Sequence, residues 1–343
     1  MDFKAVAITI SQKVFAFMDI ARISVIFMGL PFAMAGAAYA LWSTSVAVTL
    51  IQAIGGILSV FFVTGSVHIM DDFFDRRRDR SLWPDRQIPS RGLTPRGAVV
   101  MATVCCGIGV ALTFFFYNIF CVIILLIATS WAIAYAGHLR EKYGYLTLPF
   151  AIGLFPIGGY VAFAPSTLLM TGFPWLLYLM VFFWQAAHIL VYSPPHGVEN
   201  GKTVVPLFLK RFSPETTLIL AGVFAAACMT VGIIVFFTAP LSYFYLGITV
   251  SLGLFLTVLA LYVSRAPTVK KCMNLVILNS AYGWLIFLIM TLEFLYVYDI
   301  IFFWVVLIFG IFMMLLTAVF GGFREPNSQI KARKSNVGPA QPT

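Results

Sequence analysis

Long apolar stretches constrain this chain more than any other feature. Ten can be read along the 343 residues, at about 22–42, 46–70, 97–117, 119–136, 145–164, 173–193, 216–238, 241–264, 272–296 and 299–321. Crossing the hydrocarbon core of a bilayer takes about 20 apolar residues in a helix, so each stretch is long enough to span. Strict polar–apolar alternation is absent, which argues against a β-barrel. Backbone groups in lipid must then be satisfied within their own segment, and that requires α-helix. Hydrophobic residues make up 61% and charged residues 10%. Soluble domains run at about 45–50% and about 25%, so an ordinary soluble enzyme is excluded.

The basic residues test this division. All 22 Lys and Arg lie in alternate connections or in the two terminal segments, with none in the remaining connections. The positive-inside rule puts those segments, and both termini, on the cytoplasmic side. The net charge of +9 is thus a topological signal with a contact to anionic lipid as a second role, and no nucleic-acid partner is expected. The fold class expected is an all-α polytopic transmembrane bundle of nine or ten spans, with a polar cavity opening at the cytoplasmic side. Residues 1–21 read as an interfacial segment, with Phe3, Val6, Ile10, Val14 and Met18 at roughly helical spacing. Residues 22–323 form the transmembrane domain, and 324–343 a polar tail. The five cysteines fit neither a zinc site nor a disulfide framework and read as packing residues.

Chemistry concentrates after the second stretch. Five of the 13 acidic residues, Asp71, Asp72, Asp75, Asp79 and Asp85, fall within fifteen positions, interleaved with arginines. If the second helix continues past the membrane surface, Asp72, Asp75 and Asp79 share one helical face with His68, and Asp71 is rotated from it by about 100°. Clustered carboxylates repel, and a hard divalent cation compensates them. Mg²⁺ takes oxygen ligands and keeps positions for water or substrate phosphate. Arginines such as Arg76 and Arg86 suit phosphate oxygens. The pattern reads as a Mg²⁺–diphosphate site at a membrane surface; the plainer alternative is a solvated, salt-bridged helix end. The histidines His68, His138, His188 and His196 all fall near the cytoplasmic ends of stretches and point to a shared polar cavity.

Residues 71–98, running Asp-Asp-Phe-Phe-Asp-Arg-Arg-Arg-Asp into Pro84-Asp-Arg-Gln-Ile-Pro-Ser90, resemble the first aspartate motif of the UbiA superfamily of intramembrane prenyltransferases. The pattern there is N-D-x-x-D-x-x-x-D followed by a loop similar to P-D-R-P-I-P-S-G. The resemblance makes Asp72, Asp75 and Asp79 the metal-binding and catalytic aspartates, with Asp71 in the usual Asn position. Tyr135 and Arg140 resemble the Tyr-x₄-Lys/Arg element, whose basic residue is expected to face diphosphate. Leu154-Phe-Pro-Ile-Gly-Gly-Tyr160 resembles the Gly-rich fifth helix, where we read Gly158 and Gly159 as packing positions. The second aspartate motif is degenerate. Gly201-Lys-Thr-Val-Val-Pro206 fits it, but its aspartates are absent, leaving Glu199, Asn200, His196 and His188 as candidate ligands and Lys202 for diphosphate.

The resemblance implies Mg²⁺-dependent transfer of an isoprenyl group from a prenyl diphosphate, through an allylic cation, to an aromatic, quinone-precursor or other lipophilic acceptor. A membrane-bound terpene cyclase with the same site is the nearest alternative. A non-catalytic lipid-binding protein or transporter is the alternative of another class, disfavoured because the charges cluster on one side.

Overall fold

The computed structural model describes residues 20–82, 86, 88, 92–196, 212–298, 304 and 306–308. The interfacial segment before residue 20, most of the tenth stretch and the polar tail lie outside these residues. Among the described residues there is no strand. The helices are α1 Ile23–Thr44, α2 Leu50–Leu82, α3 Pro95–Phe116, α4 Ile119–Ala134, α5 Leu148–Ile152, α6 Leu154–Phe163, α7 Phe173–His196, α8 Pro214–Thr238, α9 Tyr243–Ser264 and α10 Val269–Tyr298. Among the described residues, eight segments are long and apolar enough to cross a membrane, the fifth of the sequence stretches being made of α5 and α6 together. Helix α1 has 22 residues from Ile23 to Thr44 and no charge among them, the length of a further span.

Local chemistry sets the helix starts. Thr94, Asn118, Ser213 and Ser242 each accept a hydrogen bond from a backbone N–H in the first turn of α3, α4, α8 and α9. Pro95 and Pro214 take the position where a missing N–H costs nothing. Gly144, at φ 85°, turns the chain between the fourth and fifth stretches, a conformation in which a Cβ is penalised.

Packing is mostly between successive helices: α2 lies against α3, α7 against α8, and α8 against α9. Helix α1 closes the bundle by packing on α6 and α10. The α1–α6 crossing depends on small residues. A Cβ on Gly36 would lie 2.0 Å from the Pro156 carbonyl oxygen, and one on Gly159 would lie 1.9 Å from that of Ala33. Both glycines line a cavity; Gly159 is also a packing position, as read from the sequence, whereas Gly158 has room for a Cβ and does not meet that expectation. The core beyond this crossing is aromatic, with Phe32 4.8 Å from both the Trp184 and the Phe287 rings.

Helix α2 matters most for function. At 33 residues it extends about 50 Å, well beyond a hydrocarbon core of about 30 Å. Its last turns carry the aspartates at the end where α1 and α3 begin and α4 finishes.

Candidate active site

A cavity of about 440 Å³ opens among α1, α2, α4, α6 and the end of α10, within the range of about 300–1,000 Å³ usual for ligand pockets. Its walls are largely apolar, and its charged groups gather at the aspartate end, Arg22, Asp71, Asp75, Arg86 and Arg140, with His68, Tyr135, Tyr145 and Tyr192. Two helices line it from end to end. Helix α4 presents Cys121, Ile124, Ala128, Ala132 and Tyr135, a helical stripe that continues to Arg140.

At the polar end four carboxylates of α2 meet three guanidiniums from other parts of the chain. Arg22 pairs with Asp72 and, at 3.3 Å, with Asp71. Arg86 reaches Asp79 at 2.7 Å and Asp72 at 3.4 Å. Arg140 pairs with Asp75 and, at 3.2 Å, with Asp71. Asp72, Asp75, Asp79 and Arg140 are all buried. Burial opposes the charge on Arg140, but Asp71 and Asp75 outweigh it and hold the guanidinium pKa above its ordinary value. The pairs are charge-compensated, and removing one partner would leave the other uncompensated at low dielectric.

Tyr135 and Arg140 come together through a backbone irregularity. Five residues along a regular α-helix turn through about 500°, which would leave the two side chains about 140° apart. Instead Tyr135–Leu139 forms a π turn, in which the Arg140 N–H donates to the Tyr135 carbonyl. Both side chains then line the cavity, with the guanidinium 5.7 Å from the centroid of the Tyr135 ring.

The structure sorts the residues singled out from the sequence. Helix α2 does run unbroken through Asp79. Of its carboxylates, Asp71 and Asp75 line the cavity together with His68, while Asp72 and Asp79 stand behind them on Arg22 and Arg86. Arg76 is not at the cavity: it donates to the Phe73 carbonyl at 2.6 Å and its guanidinium covers the Phe73 ring at 4.2 Å. The expectation that four histidines share one cavity does not hold. His138 is exposed. His188 lies between α7 and α10, stacked on Trp184 and 3.3 Å from the Ser280 hydroxyl, because its position on α7 turns it into the aromatic core. Backbone periodicity places His196 at the end of α7. Its side chain, and Glu199, Asn200 and Lys202, lie outside the described residues, as do Pro84, Asp85, Pro89 and Ser90 of the loop.

Sequence reasoning missed Arg22 as a site residue, counting it only toward topology. The signal was there: a lone cation at the start of an apolar span needs a partner. Tyr192, near the end of α7, also lines the cavity without having been singled out.

The donor chemistry fits Mg²⁺. The group is built from carboxylate oxygens, a hard set without thiolates. Among the described residues no three acidic, His or Cys side chains are gathered as a closed metal cage; the carboxylates are turned to the arginines. Mg²⁺ does not need such a cage, because one or two carboxylates suffice when water and substrate phosphates complete its shell. Asp71 and Asp75, both on the cavity wall, are placed for that.

Comparison with known proteins places the fold and the family. A UbiA homologue from Aeropyrum pernix superposes with a TM-score of 0.62 at 19% identity, covering 76% of this chain and 94% of its own. A digeranylgeranylglyceryl phosphate synthase matches with a TM-score of 0.60 at 17% identity, over 82% of this chain and 97% of its own. A UbiA homologue from Archaeoglobus fulgidus, solved with GPP and Mg²⁺, matches with a TM-score of 0.58 at 16% identity, over 79% and 99%. These likenesses are of fold. No curated protein matches the chain. The model of the UbiA prenyltransferase family matches residues 29–286, a region holding α2 with its aspartates, Tyr135, Arg140 and most of the cavity wall, and on that match the chain belongs to the UbiA prenyltransferase family.

Proposed function

We propose that this prenyltransferase moves the isoprenyl group of an allylic prenyl diphosphate onto a lipophilic acceptor, with Mg²⁺ held at Asp71 and Asp75 and supported by Asp72 and Asp79. The observation that carries the reading is the union, in one cavity, of a long apolar channel with buried carboxylates and guanidiniums at a single end. Few ligands other than an isoprenoid diphosphate combine those two chemistries. The Archaeoglobus fulgidus homologue bound to GPP and Mg²⁺ supports the same reading. Concentration of the 22 basic residues in alternate connections supports a cytoplasmic location for this end and for both termini.

Mg²⁺, when bound, supplies Lewis-acid neutralisation of the departing diphosphate. The chain's own groups do the rest. Arg22, Arg86 and Arg140 exchange carboxylate partners for phosphate oxygens, to which guanidinium bonds in bidentate fashion. The C–O bond then breaks with its electron pair leaving on diphosphate. Tyr135 and Tyr145 offer ring faces to the allylic cation at the polar end. The apolar wall excludes water that would quench the cation. An electron-rich carbon or oxygen of the acceptor bonds to the allylic carbon and releases a proton. From the second-motif segment, Glu199 would add a metal ligand and Lys202 a phosphate contact, with His196 and Asn200 as further candidate ligands.

The test is turnover of labelled prenyl diphosphate by the purified protein in liposomes, with Mg²⁺ or EDTA and with or without lipophilic acceptors. Acceptor-dependent prenylated product, lost in EDTA, is expected. A cyclic hydrocarbon formed without acceptor would indicate a cyclase, and no consumption of donor would leave a lipid-binding protein.

A further inference from the structure

The cavity has a measurable depth. On α2 its lining runs from Ala53 to Asp75, and along α4 and its continuation from Cys121 to Arg140. The intervals are twenty-two and nineteen positions, about 33 and about 28 Å at 1.5 Å per residue. At the end remote from the aspartates, the Tyr117 and Phe163 rings meet edge to face, 5.5 Å between centroids, and both line the cavity.

This aromatic floor is held firmly. The Tyr117 hydroxyl donates to the Gln52 carbonyl at 2.6 Å. It also lies so close to α2 that a Cβ on Gly56 would come within 2.3 Å of it. The next residue, Asn118, donates through its side chain to the Val161 and Ala162 carbonyls at 2.7 and 3.1 Å, tying the α3–α4 corner to the end of α6. The floor therefore joins α2, α3, α4 and α6, and the Tyr117 ring is not free to swing away from an advancing chain end.

We infer that the cavity is a ruler for the donor: it admits an allylic diphosphate of four to five isoprene units, whose tail follows the α4 stripe from Arg140 to the Tyr117–Phe163 floor. This rests on the donor reading given above and adds chain length to it. Each isoprene unit contributes four carbon–carbon bonds, about 5 Å when extended. With the diphosphate at the aspartate end, the depth takes four to five units before the tail meets the floor. Tail burial does not by itself favour long chains, since lipid is as apolar as the cavity wall. Selectivity comes from steric exclusion of chains that are too long, so the floor and the wall residues set it.

The experiment measures binding of unreactive prenyl thiolodiphosphates, from two to six isoprene units, to the full protein in detergent with Mg²⁺. The wild type should bind analogues of up to four or five units and lose affinity sharply for six. Ala128→Phe places a ring on the α4 stripe about 18 Å from Arg140. It should weaken the four-unit analogue at least about tenfold while leaving the two-unit analogue within about twofold. Tyr117→Ala should raise the limit by at least one unit, and Tyr117→Phe, which keeps the ring, should leave it unchanged. Equal wild-type affinity for all lengths, or an unshifted limit in Tyr117→Ala, would overturn the ruler. Equal losses for short and long analogues in Ala128→Phe would do the same. If Ala128→Phe binds nothing, Tyr117→Ala alone decides. Failure of the wild type to bind any analogue would instead overturn the donor reading, and the ruler with it.

Discussion

Arg140 donates from Nη1 to Asp71 Oδ1 at 3.2 Å, linking the end of α4 to α2 across 69 positions of sequence. The same guanidinium pairs with Asp75, so one side chain spans the two carboxylates that line the cavity. A cation held there compensates the site before any substrate enters, and phosphate must compete with Asp71 and Asp75 for it.

Replacing Arg140 by Ala should therefore do two separable things. Breaking a buried pair leaves Asp71 and Asp75 uncompensated, at a cost of about 3–5 kcal/mol, so the thermal midpoint in detergent should fall. Millimolar Mg²⁺ should recover more of that loss in the variant than it adds to the wild type, because the metal replaces the missing charge. An equal Mg²⁺ response in both proteins would count against metal binding at these carboxylates.

Asp75→Ala should abolish Mg²⁺-dependent turnover in a protein that remains folded and inserted, and Asp72→Ala should do the same by removing the carboxylate that Arg22 and Arg86 share, leaving them on Asp71 and Asp79. EDTA should silence the wild type, and added Mg²⁺ should restore it. Activity indifferent to EDTA, or retained in Asp75→Ala, would remove the proposed metal site.

Arg76 and Arg86 lie ten positions apart in the same basic run, and their substitutions should diverge. Arg86 lines the cavity and holds Asp79 at 2.7 Å, so Arg86→Ala should raise the KM for donor at least about tenfold, the loss of roughly one charge-assisted contact. Arg76 covers the Phe73 ring and bonds the Phe73 carbonyl, so Arg76→Ala should change KM by less than about twofold. Steady-state kinetics on the two variants checks this.

The sequence after α7 carries the altered second motif. Glu199→Gln should raise the Mg²⁺ concentration needed for half-maximal activity, since one oxygen ligand and one negative charge are lost. Lys202→Ala should raise the KM for prenyl diphosphate more than for acceptor. Unchanged values in both variants would leave the chemistry to the α2 aspartates alone.

The α1–α6 crossing separates packing from lining. Gly36→Ala would press a Cβ to 2.0 Å from the Pro156 carbonyl and should destabilise by about 1–3 kcal/mol or more. Gly158→Ala, whose Cβ would meet only Ile124 at 3.7 Å, should be tolerated. Thermal midpoints of the two variants compare them directly.

Much of the architecture was legible because membrane insertion is a local property. Transfer of each apolar stretch into lipid depends on its own composition and length, so the spans could be read one at a time. The aspartate cluster was legible for a similar reason, since D-x-x-D-x-x-x-D places carboxylates on a common helical face wherever the helix lies. The split of the fifth stretch into α5 and α6, and the π turn at Tyr135–Leu139, left no comparable mark in the residue pattern.

By itself, then, the sequence determined the helical class, the eight membrane-length spans of the described residues and the neighbourhood of the chemistry. Tertiary structure alone decided which side chains compose the site. The rotation of α2 is set by its contact with α3, where a Cβ on Gly109 would lie 2.4 Å from a Val63 methyl and where Ser59 donates to the Gly109 carbonyl at 2.8 Å. That rotation turns Asp71 and Asp75 to the cavity and Arg76 away from it. The same packing brings Arg22 to Asp72 across fifty positions. Hydropathy and helical period are carried by each segment separately, whereas ion pairs between distant segments exist only after the helices have chosen their faces.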